Sequence, residues 1–339
     1  MKPRHALTPP ARWRATALIA ACAVLAGCSG PPPVIHPDPV PAAAPPAVLE
    51  LQTSRILDDL STQLAQSEAS QSTAEVTRIG GTALEMRTAE FAMHAADPEE
   101  VSNDVLATEF AGTVVPATTE WPRSFVAVTT PTDTGAQYLY VLTQAEARAQ
   151  YAMTSWTRLL AGVTLPETAP PDVGSPTLAL GEEGDLAHTP QAALASYAEA
   201  KDNPASGAAG LFDGTDPARD AWVGLIERWG AALEPIEGTV APASSADTEG
   251  AYVMATADGG AIVLGTIRSA LTLTIPETPG RSFTLAPYFG ALGAASTTVT
   301  RSATIEFAQP VALAIPPKAS GQPVAVLGVA QVPVKATTE

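Results

Sequence analysis

The chain has 339 residues, 46% of them hydrophobic, with 35 Asp+Glu against 18 Lys+Arg and a formal net charge of −17 at pH 7. Lysine occurs only at Lys2, Lys201, Lys318 and Lys335, and the absence of any basic run excludes recognition of nucleic-acid backbones and charge-driven docking on anionic lipid. The acids are dispersed and form no D-x-[DN]-x-[DN]-G loop, so they read as a solvated surface rather than a calcium site.

The first 14 residues carry Lys2, Arg4, Arg12 and Arg14 and no acid. Ala15 to Leu25 is an uncharged apolar run with the length of a signal h-region, too short to cross a bilayer as a helix. The tetrapeptide Leu25-Ala26-Gly27-Cys28 resembles the lipobox of bacterial lipoproteins. That resemblance implies diacylglyceryl transfer to the Cys28 thiol, cleavage between Gly27 and Cys28, and a place on the extracytoplasmic face of the cell membrane. Each buried CH₂ contributes about 0.8 kcal/mol, so two acyl chains suffice for stable anchoring. Residues 29–47 are crowded with proline and lack apolar periodicity. They read as a polyproline II tether of roughly 50–60 Å at about 3.1 Å per residue. The four bases lost with residues 1–27 leave 14 Lys+Arg against 35 Asp+Glu, a charge near −21. Cys22 and Cys28 are the two cysteines, so the body has no disulfide and needs an ordinary apolar core.

In chain order, Leu49, Ile56, Leu57, Leu60 and Leu64, largely at three- and four-residue spacing, predict a helix from Val48 to about Ala69. A second follows with Thr73 as cap and Val76, Ile79, Ala83, Leu84, Met86 and Phe91 recurring in it, interrupted by Gly80-Gly81 and ended by Asp97-Pro98. The period then becomes two: Ser124–Thr130 and Gln137–Thr143 read as strands, and Tyr151–Leu165 as a longer one. Helices return at Thr189–Lys201 and Asp216–Leu233. Ala251–Thr256 and Ala261–Thr266 flank Ala257-Asp-Gly-Gly260 as a hairpin, with further strands at 281–288, 295–308, 310–315 and 322–335.

Arg158 through Thr164-Leu165-Pro166-Glu167-Thr168 matches Arg268 through Thr274-Ile275-Pro276-Glu277-Thr278 at an offset of 110, which suggests a duplication. The fold class is therefore α+β in two tandem domains, each with helices packed on a curved antiparallel sheet. The divisions are a signal peptide (1–27), a lipidated Cys and Pro-rich tether (28–47), a first domain (48–184) and a second (185–339).

Four stretches carry a wider resemblance: Arg55–Leu64, Trp121-Pro-Arg-Ser-Phe-Val-Ala-Val128, His188-Thr-Pro-Gln-Ala-Ala-Leu-Ala-Ser-Tyr197 and Thr256-Ala-Asp-Gly-Gly-Ala-Ile-Val263. Together they resemble an uncharacterised family of actinobacterial lipoproteins, which carries no catalytic residues over. The helix-then-sheet order is similar to the nuclear transport factor-like or cystatin-like cone, a likeness of fold that implies no activity.

Chemistry is sparse. His36, His94 and His188 belong to no metal-binding spacing, nucleophile-elbow and phosphate-loop motifs are missing, and no cofactor is implied. Trp222 and Trp229 lie seven apart on one helix face and could line an apolar pocket, though core packing is the commoner use of such a stripe. Arg158 and Arg268 could meet carboxylates inside each cone or lie exposed. Trp121, Trp156, Tyr138 and Tyr140 read as core. The leading expectation is a non-enzymatic envelope lipoprotein that binds a partner protein or a small apolar ligand, or acts as a scaffold. The alternatives are an enzyme of the nuclear transport factor-like kind using His94 or an aspartate, and a transporter-associated solute-binding lipoprotein. The last ranks lowest because long β-α-β alternation is missing.

Overall fold

The structure is a computed structural model that describes residues 44–213 and 216–339. The signal sequence, Gly27, Cys28 and all but the end of the tether lie outside the described residues. Among the described residues no helix is long and apolar enough to cross a membrane.

Helix α1 (Glu50–Ser70) buries Ile56, Leu57, Leu60 and Leu64, as their spacing predicts, whereas Leu49 precedes the helix and is exposed. Helix α2 (Gly81–Ala96) starts later than predicted. Gly80 and Gly81 open it rather than interrupt it, and Thr73 instead bonds the Thr88 hydroxyl. The reason is local. Gly81 has φ +53, and a Cβ there would meet the Thr154 carbonyl at 3.2 Å, so only glycine lets the chain turn into the helix against that strand.

Strands β1 (Phe110–Val114), β3 (Arg123–Thr129), β4 (Tyr138–Gln144) and β5 (Ala152–Leu159) form an antiparallel run. The two-residue β2 (Pro116–Ala117) pairs in parallel with β6 (Ser175–Pro176). Thr189 caps α3 (Pro190–Asp202) and Asp216 caps α4 (Pro217–Leu233) through side-chain oxygens, each ahead of a proline at the first helical position. Long strands β7 (Thr239–Ala255) and β8 (Ala261–Thr274) make the predicted hairpin but run well beyond it.

The chain ends with β9 (Phe283–Thr284), β10 (Thr298–Val299), β11 (Ser302–Ile315), β12 (Ala325–Val329) and β13 (Val332–Thr338). Pro310 does not divide β11. Its carbonyl accepts from the Ala330 N–H, so its missing N–H also faces the break between β12 and β13, where no ladder bond is lost.

The sequence predicts separate sheets in 48–184 and 185–339. The strands of both stretches instead share one nine-stranded sheet, ordered β1-β3-β4-β5-β12-β11-β8-β7 with β13 also on β11. The described residues fall in a single compact unit. The two arms meet at β5 and β12, where Gly328 pairs with Leu159 and Val329 with Arg158. That junction pairs an edge of β5 that would otherwise stand open. A Cβ on Gly328 would lie 2.7 Å from the Arg158 carbonyl, so the close approach depends on glycine.

A flat sheet would hold β3 and β8 about 24 Å apart, five strand spacings. Yet Val126, Leu139 and Val141 of one arm share an apolar cluster with Met254, Ile262 and Leu264 of the other. The sheet therefore curls until its inner faces meet. Outside, α1, α2 and α4 cover the largest core and α3 a second one under Leu194 and Tyr197. Helix α2 also packs against both β5 and β13, wedged where the arms diverge.

Candidate functional site: a polar cleft inside the curled sheet

The space between the arms is filled by apolar side chains in its middle and opens at one end as a cleft of about 360 Å³. Its walls come from β3, β4 and β5 on one side, β7 and β8 on the other, and the first turn of α2. Strand alternation explains the change of character. On β8, Ile262 and Leu264 face the apolar cluster, and Thr266 and Arg268 continue the same face into the cleft. Across it, Ser124 and Thr143 extend the line of Val126 and Val141.

Three hydroxyls form a chain over adjacent strands, Ser124 Oγ to Thr143 Oγ1 at 2.9 Å and Thr143 Oγ1 to Thr154 Oγ1 at 3.1 Å. Opposite, the register of β7 slips between Asp247 and Tyr252. This bulge turns Asp247, Glu249 and Tyr252 to the cleft. The Tyr252 hydroxyl is buried without a hydrogen-bond partner, and burial holds its pKa well above the usual tyrosine value.

Arg268, singled out by the repeat, lines this cleft. Its guanidinium donates to Glu85 at 2.6 Å, to Asp247 at 3.4 Å and to the Thr82 hydroxyl at 3.4 Å. Two carboxylates thus offset its charge. Arg158 does not share that setting. It is exposed on β5 between β4 and β12, whereas Arg268 is half-buried on β8 between β7 and β11.

Nor do the two tryptophans line the cleft. Trp222 is fully buried, edge-on to Phe307 at 5.2 Å, and Trp229 is half-buried against Phe283. Trp156, Tyr138 and Tyr140 lie in the core as expected, but Trp121 is 38% exposed beneath the Arg123 guanidinium. His94 is tied to the Val101 carbonyl at 2.6 Å and His188 precedes α3; neither lines the cleft. Among the described residues no group of three or more His, Cys, Asp or Glu side chains could hold a metal ion.

A second polar cluster escaped sequence reasoning. Lys201 on α3 is 1% exposed, and its ammonium donates to Ser244 Oγ at 3.1 Å and Ser269 Oγ at 2.5 Å and sits 3.5 Å from the centre of the Trp222 ring. Ser244 donates to Asp202, and Ser269 to Gln309. Burial pulls the Lys201 pKa down to about 7, against the pull of Asp202. A neutral amine beside two hydroxyls is the raw material of nucleophile activation, but the burial of Lys201 keeps substrates from the amine. The signal was present in the sequence, because Lys201 follows Leu194 and Tyr197 at helical spacing on the apolar stripe.

Residues 44–338 match the family model described as a domain of unknown function, DUF8094. The chain belongs to this family. No curated protein and no solved structure matches it. The match spans both arms, so the family's unit contains the junction at Gly328, the whole curled sheet and the cleft inside it.

Proposed function

We propose that this member of the family is a lipid-anchored, extracytoplasmic binding protein that holds a small, uncharged, polyhydroxylated ligand of the carbohydrate class in the cleft. The observation that carries the reading is the cleft's chemistry: a hydroxyl chain on one wall, a tyrosine ring and carboxylates on the other, and an arginine already offset by two acids. Sugars offer hydroxyls to hydroxyl and carboxylate acceptors and an apolar face to an aromatic ring. The volume lies at the small end of ligand pockets, which run about 300–1,000 Å³. Trp222 and Trp229, the candidates for an apolar pocket, do not contribute to this cleft, because Trp222 is fully buried and Trp229 packs against the core.

The lipobox and tether supply the anchor in this reading. Changing Cys28→Ala moves the protein from the membrane to the soluble fraction; retention in the membrane fraction refutes the anchor. Titration calorimetry against a panel of neutral mono- and disaccharides detects at least one binder, and Thr143→Val weakens it tenfold or more. A panel without binders, or binding indifferent to Thr143→Val, refutes the cleft assignment.

A further inference from the structure

Strand β1 ends the sheet: β3 pairs one of its edges, and among the described residues no strand pairs the other. Beside that open edge runs a groove of about 710 Å³ between β1 and the first half of α1. It is lined by Glu109 to Thr113 from the strand side, by Val48, Leu57 and Ser61 from the helix side, and by Pro171 and Asp172 at one end. A second cavity of about 590 Å³ adjoins it along the rest of α1, sharing Thr108 and Glu109. The Ser61 hydroxyl, bonded to the Thr108 carbonyl, stands between the two.

The charge of this trough is one-sided. Glu50, Asp58, Glu109 and Asp172 line the first cavity, Asp133 and Glu68 the second, Glu68 being already paired with Arg87, and among the described residues no Lys or Arg lines either. Exposed edge strands invite pairing by another chain, and an extended peptide that adds to such an edge gains backbone bonds from the strand and specificity from the side chains beside it.

We infer that this trough binds an extended, Lys/Arg-rich segment of a partner protein, which adds to β1 as a further strand. Charge selects this occupant over the others. A second copy of the chain would bring the same acids against themselves. The chain's own residues 29–47 carry no Lys or Arg, and their prolines lack the N–H groups that a strand must donate. The site is separate from the cleft inside the curled sheet, so each stands or falls alone.

The experiment uses the intact protein in detergent and a labelled nine-residue peptide alternating lysine and valine. Fluorescence anisotropy shows saturable binding, at least tenfold weaker for the same peptide with glutamate in place of lysine. It is also at least tenfold weaker for the lysine peptide methylated on alternate backbone nitrogens along its pairing edge. Hydrogen exchange slows at Phe110–Val114 on binding. Asp58→Lys with Glu109→Lys abolishes the lysine peptide's binding and leaves the thermal melt in place. No saturable binding, equal binding of the glutamate peptide, indifference to N-methylation, or binding without protection at β1 overturns the proposal. The peptide comparisons keep it testable even where the double variant does not fold.

Discussion

Each arm of the molecule buries a cation under its helices, and the two are held in opposite ways. On α2, the Arg87 side chain is 2% exposed and bonds Glu68 at 2.5 Å, Glu90 at 2.7 Å and the Asp104 carbonyl at 2.9 Å, with its guanidinium 4.3 Å from the Phe91 ring centre. On α3, Lys201 meets two serine hydroxyls and an indole ring, and among the described residues no carboxylate lies within ion-pair distance of it. A guanidinium's planar fork reaches several acceptors at once, whereas an ammonium is a compact charge that readily gives up its proton when buried. The first cluster is an ion-pair network that fails when its cation is removed. The second carries a charge the fold tolerates poorly.

The largest expected effect tests the first half of that contrast. Arg87→Met strands Glu90 and Glu68 without their cation, and removing one partner of a buried pair costs about 3–5 kcal/mol. At pH 8, where Glu90 is ionised, the urea midpoint falls accordingly; a loss under about 1 kcal/mol there would show that the carboxylates are hydrated. Lys201→Met has the opposite sign. The methionine keeps most of the volume, the serines keep Asp202 and Gln309 as partners, and the desolvated charge disappears. The expected gain is about 1–4 kcal/mol at pH 6, by analogy with buried ions replaced by apolar residues. Destabilisation at pH 6 would refute the reading of Lys201 as a poorly tolerated charge.

The pH dependence separates the clusters further. Burial, helped by Asp104 and Glu68 and opposed by Arg87, raises Glu90 to about 7 from 4.5. The folded chain therefore holds a proton that the unfolded chain has lost, and this contribution, complete below 4.5, fades as pH rises to 7. Lys201 falls from 10.5 to about 7. Between 7 and 10.5 the unfolded chain binds the extra proton, so stability rises with pH through that window and the full penalty stands below 7. The two contributions sum to a minimum near neutrality. Glu90→Gln flattens the acid limb of the urea-midpoint profile and Lys201→Met the alkaline limb. If the limbs respond in exchanged order, the assignments fail.

Local signals carried most of the elements and few of the long-range relations. The helix starts at Thr189 and Asp216, the face of α1 from Ile56 to Leu64 and the turn at Ala257–Gly260 depend on neighbours within a few residues, and these are found. Joining β5 to β12 brings together residues 159 and 328, and no spacing announces that. The internal match of Arg158 with Arg268 suggested two equivalent domains, yet one arginine sits at the junction and the other in the cleft. The cleft was illegible for the same reason. Its Ser and Thr hydroxyls come from four strands and one helix, each an ordinary residue in its own segment.

Gly328→Ala asks whether the two clusters belong to one cooperative unit. The added Cβ would sit 2.7 Å from a backbone carbonyl, which has little room to yield at a strand pairing. Overpacking of this kind costs about 1–3 kcal/mol. With the junction intact, unfolding followed by fluorescence and by circular dichroism coincides in one transition. In the variant the midpoint drops, and if the arms depend on β5–β12 pairing for their cooperativity, the two probes part. Coincident transitions with an unchanged midpoint would mean that α2, packed on both β5 and β13, joins the arms without the strand contact.

The smallest effect concerns the wall of the cleft rather than the buried cations. Tyr252→Phe removes a hydroxyl that is buried without a partner, so no hydrogen bond is lost and an unmet desolvation cost disappears. Stability holds or rises by up to about 1 kcal/mol. The ring that faces the cleft is kept, so affinity for a bound saccharide is unchanged, whereas Tyr252→Ala lowers it. A loss of stability of about 1 kcal/mol or more in the phenylalanine variant would assign the hydroxyl a bridging water. The cleft would then be wet to its floor, and its ligand would have to reproduce that water's bonds or leave it in place.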